Sequence, residues 1–579
     1  MNAPPKSTNN RYNAMNIKEF YKQVRTDITN ENFENLVTLQ LNKPDYFNWV
    51  MDVFYEMNVK IFPESKALIW RYNEKEKFYT FESIYSEANQ FLNFLRAHGI
   101  EQGNCIYSQL PLDPANWISL LAAIKGGFVL IPSSTNLTEN DIVYRFTTIF
   151  PEVVISDLAN ASKIDAAEKL LNKLIKVKII VDGETEGWHN IEDIYEEEKA
   201  ADAVHTRSDD NLFYFFTSGT TGLPKIVTHT HLTLPFGHLT TSAWIGLRQG
   251  DIHYNISAPG WAKFAYSSFF GPWNTGATIF ANQADKFIAR EQLEAMEKYG
   301  VTTFCAPPTV LRLMIQEDLS IYNFKLRHCV AGGEPLNPEI IEKWKQGTGI
   351  VIRDGYGQTE SSLLAGNMPG TLIKYGSMGK PSFLYDIVIA NDEGLEMLPF
   401  EEGNICIKMK DEKINGIFTG YLGEPERNNK VFKHHLYYTG DKAYKDEDGY
   451  IWFVGRDDDV IKASDYRIGP FEVESILIEH DTVVEAAVVG SPHEIRGFAV
   501  KAFVLLRQGE TPCKELAENL FSYCNKHLAS YKIPRIIEFV ETLPKTISGK
   551  IRRVELRAAE ANSKSKKEIR EYEFFHIKY

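Results

Sequence analysis

Between residues 280 and 360 the chain alternates two periodicities, and that alternation sets the fold class before any motif is read. "REQLEAMEKYG" carries helical spacing, "VTTFCAPP" is a short β-prone run, and "TVLRLMIQEDL" is helical again. "PEIIEKWKQGTG" followed by "IVIRDGYG" repeats the pair. Helix and strand in turn predict a parallel sheet covered by helices, the α/β class. After "EDGYIWFVGRDDDVIK" the units shorten: a helix in "FEVESILIEH", strands in "VVEAAVVG" and "AVKAFVLL", a helix in "KELAENLFSYCNKHL" and a strand in "RIIEFV". We therefore expect a boundary near 457 to 459, with a large domain over 1–457 and a small α+β domain over 458–579. A chain of 579 residues is long enough for both cores.

"YFFTSGTTGLPKIVTH" (214–229) follows the apolar run "NLFYFF" and so hangs from the end of a buried strand. Its glycines and hydroxyls offer many N–H and O–H donors on a backbone able to curl around an anion. Lys225 adds a mobile charge that reaches an outer phosphate oxygen. It is not a Walker A loop, because Lys225 follows Pro224 and precedes Ile226.

A formal charge of −14 argues against a nucleic-acid partner, whose binding rests on Lys and Arg neutralising phosphates. Cys105, Cys305, Cys329, Cys406, Cys513 and Cys524 are widely spaced with no Cys-x-x-Cys pair, which reads as reduced cytoplasmic thiols. The start "MNAPPKSTNNRYNAMNIKEF" has neither an apolar signal core nor the arginines of a transit peptide. "WISLLAAIKGGFVLIP" (117–132) is broken by Lys125 and a glycine pair and is too short to span a bilayer. The tail "NSKSKKEIREYEFFHIKY" reads as a charged, solvated end whose aromatics hint at docking. His229 and His231 lack the carboxylate or cysteine companions of a metal site.

Four further stretches stand in order with the opening loop: "AGGEPLNPE" (331–339), "DGYGQTES" (354–361), "YYTGDKAYKDEDGYIWFVGRDDDVIKASDYRIGP" (437–470) and "LPKTISGKIRR" (543–553). Together they resemble the motif set of AMP-forming acyl-CoA synthetases, in the adenylate-forming superfamily of luciferases and peptide-synthetase adenylation domains, over roughly residues 60 to 557. The resemblance implies a multi-sheet N-terminal domain, a mobile C-terminal domain, and ATP, Mg²⁺ and coenzyme A as reactants. In that chemistry a carboxylate attacks the α-phosphate of ATP, and the thiol of coenzyme A then displaces AMP. Attack of an anion on an anionic phosphate calls for charge neutralisation by lysines, backbone donors and Mg²⁺.

By the same resemblance Thr217, Ser218, Gly219, Thr220, Thr221, Gly222 and Lys225 surround the outer phosphates. Gly333, Glu334 and Pro335 border the adenine, and Asp354, Gly355, Tyr356, Gly357, Gln358, Thr359 and Glu360 form the ATP-site motif. In it Tyr356 stacks on adenine, Thr359 touches the α-phosphate and Glu360 helps hold Mg²⁺. Asp441 accepts the ribose hydroxyls with support from Arg456, Lys550 is the adenylation lysine, and Asp458 is the hinge. Ser464, Asp465 and Arg467 lie on the pantetheine path, and Asp465 departs from the family's glycine, which keeps a carrier-protein ligase as the rival. Where acetate-using members carry tryptophan after the motif tyrosine, this chain has Gly357, which predicts a larger acyl cavity lined by Trp261 and Phe264, as in medium-chain synthetases. The expected partners are small molecules, a carboxylic acid with ATP and coenzyme A, acting on a cytoplasmic monomer or homodimer without a membrane span.

Overall fold

The computed structural model describes residues 14–217, 224–409, 416–463, 466–493, 497–545, 550–566 and 568–576, and among them the strands form four sheets. The first has nine strands. Its centre is a parallel run of Ile352–Gly357, His328–Gly332, Thr303–Ala306, Ile252–Asn255, Thr278–Gln283 and Lys66–Tyr72. The alternation read between 280 and 360 is this run, with helices Ala289–Lys298, Pro308–Met314 and Pro338–Thr348 connecting its strands. Apolar side chains on both faces put the strands at the bottom of two cores, as a helix-covered parallel sheet requires.

The second sheet has eight strands and also a parallel centre, where Cys105–Gln109 lies between Val129–Pro132 and Val153–Ser156. Asn211–Thr217 joins it in parallel to Val129–Pro132, then turns back into antiparallel Lys225–Thr230. The helix Ala115–Gly126 that precedes Val129–Pro132 is buried on every side, and Gly127 ends it at φ +70°, a conformation that costs a side-chain-bearing residue more. Its Lys125 is also buried, donating to Tyr85 Oη at 2.7 Å and Asn89 Oδ1 at 2.6 Å, and burial lowers its pKa to about 8.

A five-stranded antiparallel sheet ends at Arg456, and a six-stranded sheet runs from Ile461–Ala463 to Glu573–Phe575. The fold is thus the α/β architecture of a large N-terminal and a small C-terminal domain expected from the sequence. The tail, however, is docked rather than solvated. Glu573–Phe575 pairs antiparallel with Ile536–Phe539, and buried Glu573 meets Lys501 at 2.5 Å. Lys501 Nζ also lies 2.7 Å from both Glu538 and Glu560. These three buried carboxylates have the spacing of a metal-binding group, but the ammonium sits among them, with Lys564 and Arg570 alongside. Three cations against three anions leave no charge deficit for an ion to fill. Among the described residues no helix is long and apolar enough to cross a membrane.

Candidate active site

The hairpin Asn211–Thr217 and Lys225–Thr230 brings Thr217 opposite Lys225, at the mouth of the glycine-rich loop. Ser218, Gly219, Thr220, Thr221 and Gly222 lie outside the described residues. Thr217 Oγ1 is buried with no hydrogen-bond partner among the described residues, a cost that a ligand oxygen would remove. Lys225 Nζ lies 2.7 Å from Glu360 Oε1 and donates to Tyr421 Oη at 2.8 Å, and that hydroxyl donates to Glu360 Oε1, also at 2.8 Å. Burial alone would raise the Glu360 pKa, but the Lys225 charge and these hydrogen bonds outweigh it and hold the carboxyl below its ordinary value. An anion therefore stands beside a cation at the loop.

A second cluster is built on the end of Ile352–Gly357 and on Leu436–Lys445. Tyr356 Oη and Gln358 Nε2 each donate to Asp441 Oδ2 at 2.6 Å, and Gln358 Nε2 also donates to the Thr439 carbonyl at 2.9 Å. Arg456 faces Asp441 across the antiparallel pair. Burial pushes the Asp441 pKa up against the pull of Tyr356, Arg456 and Gln358. Gly333 turns at φ +104° in open space, with Glu334 and Pro335 half-buried beside it. Asp354 accepts from the Gly355 N–H at 2.8 Å, and burial drives its carboxyl well up, which makes it part of the turn's support. His229 Nε2 lies 2.8 Å from the Thr359 carbonyl, so that nitrogen carries the proton, and burial lowers its pKa to about 4. His231 is buried too, and burial lowers its pKa to about 4 as well.

Glycines at this edge make room for Trp244. A Cβ on Gly355 would stand 2.5 Å from its indole and one on Gly366 2.7 Å, while Trp244 Nε1 donates to the Asp354 carbonyl at 3.2 Å. Gly357 corrects the sequence expectation of an opened cavity. A Cβ there would lie 2.2 Å from the Ser362 carbonyl oxygen, so the missing side chain serves the approach of Leu363–Gly366. Trp261 and Phe264 do share a cavity, of about 20 Å³, with Leu120, Phe213 and Phe215, and Phe264 packs on Trp117 at 5.1 Å between ring centroids. That is room for about one water.

Lys550 of the small domain is exposed, and its charge pulls the Glu334 carboxyl down against the effect of burial and adds to the burial that lowers the Lys263 pKa. Ser475 Oγ donates to Asn337 Oδ1 at 3.1 Å across the same junction. Where the sequence expects the hinge, Arg456 lies 3.6 Å from Asp458, and Lys442 lies 3.2 Å from Asp457. Asp459 pairs with Arg553 at 3.8 Å and with Arg557, both on the helix that follows Lys550. Arg467 is exposed on Tyr466–Ile468, while Ser464 and Asp465 lie outside the described residues. Sequence reading missed Tyr421, Trp244 and Lys263. Lys263 lies between Trp261 and Phe264 in a stretch with no charged neighbour or motif spacing to mark it.

A model of the AMP-binding enzyme family matches residues 55–422, and that family's C-terminal domain matches 472–550. The chain is 48% identical over 91% of its length, and 93% of the relative, to 4-hydroxybutyrate–CoA ligase 1 of Metallosphaera sedula. It is 39% identical to the mitochondrial acyl-coenzyme A synthetase ACSM3 of Mus musculus, over 94% of this chain and 96% of that one. Among solved structures it resembles the anthranilate CoA ligase AuaEII bound to anthranoyl-AMP, with a TM-score of 0.83 and 29% identity over 90% of this chain and 99% of that one. A benzoate CoA ligase from Burkholderia xenovorans gives a TM-score of 0.77 and 27% identity over 88% of this chain and all of that one.

Proposed function

The chain belongs to the AMP-binding enzyme family and is an AMP-forming acid:CoA ligase, and from that premise we propose how its residues divide the work. The observation that carries the proposal is that the Lys225–Glu360 ion pair, at 2.7 Å, and the Tyr356 and Gln358 donors to Asp441 gather at the carboxyl end of the parallel strand Ile352–Gly357. Crevices at such strand ends are where α/β sheets bind ligands.

In the first step a substrate carboxylate oxygen forms a bond to the α-phosphorus of ATP, the bond to the β-phosphate breaks, and pyrophosphate leaves with the electron pair. Lys550 neutralises the charge that gathers on the carboxylate and α-phosphate. Thr217 and Lys225, with the loop through Gly222, hold the outer phosphates. Asp441 and Arg456 hold the ribose, and Tyr356 lies against the adenine. Glu360 is a buried anionic carboxylate whose hard oxygens would hold Mg²⁺, and the ion would supply charge neutralisation there. In the second step the coenzyme A thiolate displaces AMP after the small domain turns about Asp458, which exchanges Lys550 for the thiol path past Arg467. We place the domain boundary at 457 to 459, between the sheet that ends at Arg456 and the one that starts at Ile461.

The acid is larger than acetate, medium-chain fatty or aromatic. Support comes from relatives named for 4-hydroxybutyrate, anthranilate and benzoate. Coenzyme A, not a carrier protein, is the acceptor, as in the relatives named above. The reading includes a cytoplasmic enzyme, supported by six unpaired cysteines, working as a monomer or homodimer. A panel of acids from acetate to palmitate, with 4-hydroxybutyrate and aromatic acids, tests it by AMP formation dependent on both ATP and coenzyme A. Pyrophosphate release with acid alone, but no AMP release on adding coenzyme A, would return the carrier-protein reading.

A further inference from the structure

Lys263 is a lysine at the edge of the first parallel sheet that no motif predicts. It lies in the helix Ala262–Ala265, which continues through Tyr266–Phe270. One turn on, Ser267 lies 3.0 Å from His253 and Ser268 accepts from Asn255 at 2.8 Å, so this face of the helix is pressed against the strand Ile252–Asn255. Lys263 therefore sits at the carboxyl edge of the parallel strands, and its Nζ donates to the Gly332 carbonyl at 3.0 Å, at the end of His328–Gly332. That is its only hydrogen bond among the described residues, and an ammonium has three donors. The residue keeps part of its surface open, and burial lowers the pKa of its ammonium. Glu334, Cys305 and Lys550 are the charged or titratable groups that act on it.

We propose that Lys263 is a second, stationary cation on the reacting carboxyl group, serving both half-reactions. The inference rests on the role given to Lys550 above and extends it. Lys550 belongs to the small domain and leaves when that domain turns, whereas Lys263 is fixed to the large domain and stays. In the adenylation step the two lysines flank one carboxylate. In the thioester step the thiolate sulfur forms a bond to the carbonyl carbon, negative charge moves onto the carbonyl oxygen, and that charge returns as the bond to the phosphate oxygen breaks and AMP leaves with the electron pair. Lys263 holds that oxygen through the charged stage, the kind of fixed donor whose removal costs a hundredfold or so in rate.

The test measures both half-reactions in single turnover, pyrophosphate release from acid and ATP, and thioester formation from supplied acyl-AMP and coenzyme A. Wild type is compared with Lys263→Met, Lys263→Arg and Lys550→Ala. The expected result is that Lys263→Met slows both steps by about a hundredfold, that Lys263→Arg recovers part of each, and that Lys550→Ala slows adenylation alone. Thermal melting and ATP binding check the fold of each variant, and Lys263→Arg keeps the charge if the methionine variant does not fold. A thioester step unchanged in both Lys263 variants overturns the proposal. A loss confined to acids with a polar substituent, with simple alkanoates unaffected, also overturns it and makes Lys263 a selector of the distal acyl group. If wild type makes no acyl-AMP from any acid, the failure is that of the adenylation reading instead.

Discussion

Lys225 and Glu360 are 135 residues apart in the chain, yet their side chains meet at 2.7 Å, with the Tyr421 hydroxyl bonded to both. Each partner makes the other usable, since a buried carboxylate without its ammonium would take up a proton. We expect Lys225→Met to weaken ATP binding and to leave Glu360 partly protonated at neutral pH. Truncating one member of a buried pair costs about 3–5 kcal/mol in stability, so melting temperature and ATP affinity should fall together. A variant with wild-type melting and weakened ATP binding would show that the pair is not a structural unit.

The position of Tyr421 gives a second expectation. Its hydroxyl donates to Glu360 and accepts from Lys225, so Tyr421→Phe removes one donor to the carboxylate and one acceptor for the ammonium. Loss of a hydrogen bond to a charged group is worth about 1.5–3 kcal/mol. The expected readout is a rise in KM for ATP with little change in the KM for the acid. Equal rises in both would place Tyr421 outside the phosphate side of the site.

Gly357 carries the correction to the cavity argument. Because a Cβ would lie 2.2 Å from the Ser362 carbonyl oxygen, Gly357→Ala must push the two strands apart. Overpacking of this kind costs about 1–3 kcal/mol. We expect a lower melting temperature and an unchanged order of preference across the acid panel. A shift toward acetate without loss of stability would restore Gly357 to the acyl pocket.

Acid sensitivity follows from buried histidines. His229 and His231 are lowered to about 4, and His253 and His328 to about 3, each chiefly by burial. The unfolded chain protonates these rings near pH 6.5, while the folded chain resists until far lower pH. Between those values the unfolded state binds more protons, so stability rises with pH and falls as pH is lowered through that window. Glu360 adds in the same direction below about pH 4.5, because its depressed folded pKa makes its contribution disappear as it protonates. Each pKa unit is worth about 1.4 kcal/mol per group. Melting temperature should drop steeply from about pH 6.5 downward, and a flat profile to pH 5 would contradict this accounting.

The hinge offers a kinetic expectation. Asp459 pairs with Arg553 and Arg557, and Arg553 also grips Glu474 at 2.7 Å, so the helix after Lys550 is tied to the hinge segment. Asp459→Asn should loosen the placement of Lys550 and slow adenylation more than thioester formation from supplied acyl-AMP. Equal slowing of both half-reactions would show that the contact holds the small domain together without aiming its lysine.

The sequence by itself determined the parallel α/β sheet, the order of the motifs and the change of pattern after residue 456. These are written in short-range periodicity, in glycine-rich turns and in spacings within one stretch of chain, all of which act locally. The motifs that hold Lys550 and Glu360 were legible for the same reason, because each is one compact stretch. Tertiary structure alone decided where side chains from distant stretches meet. Tyr421 reaches Glu360 from a segment with no spacing signal, and Lys263 reaches the Gly332 carbonyl because its helix packs at the end of the strand His328–Gly332. It also decided direction, since a glycine's missing Cβ opens space only on the side to which the backbone aims it, and at Gly357 that side is the Ser362 carbonyl. The charged tail shows the same limit, for Glu573 is buried because Lys501 waits for it on another strand. Burial and pairing depend on how the chain crosses itself, and local composition carries no record of that crossing.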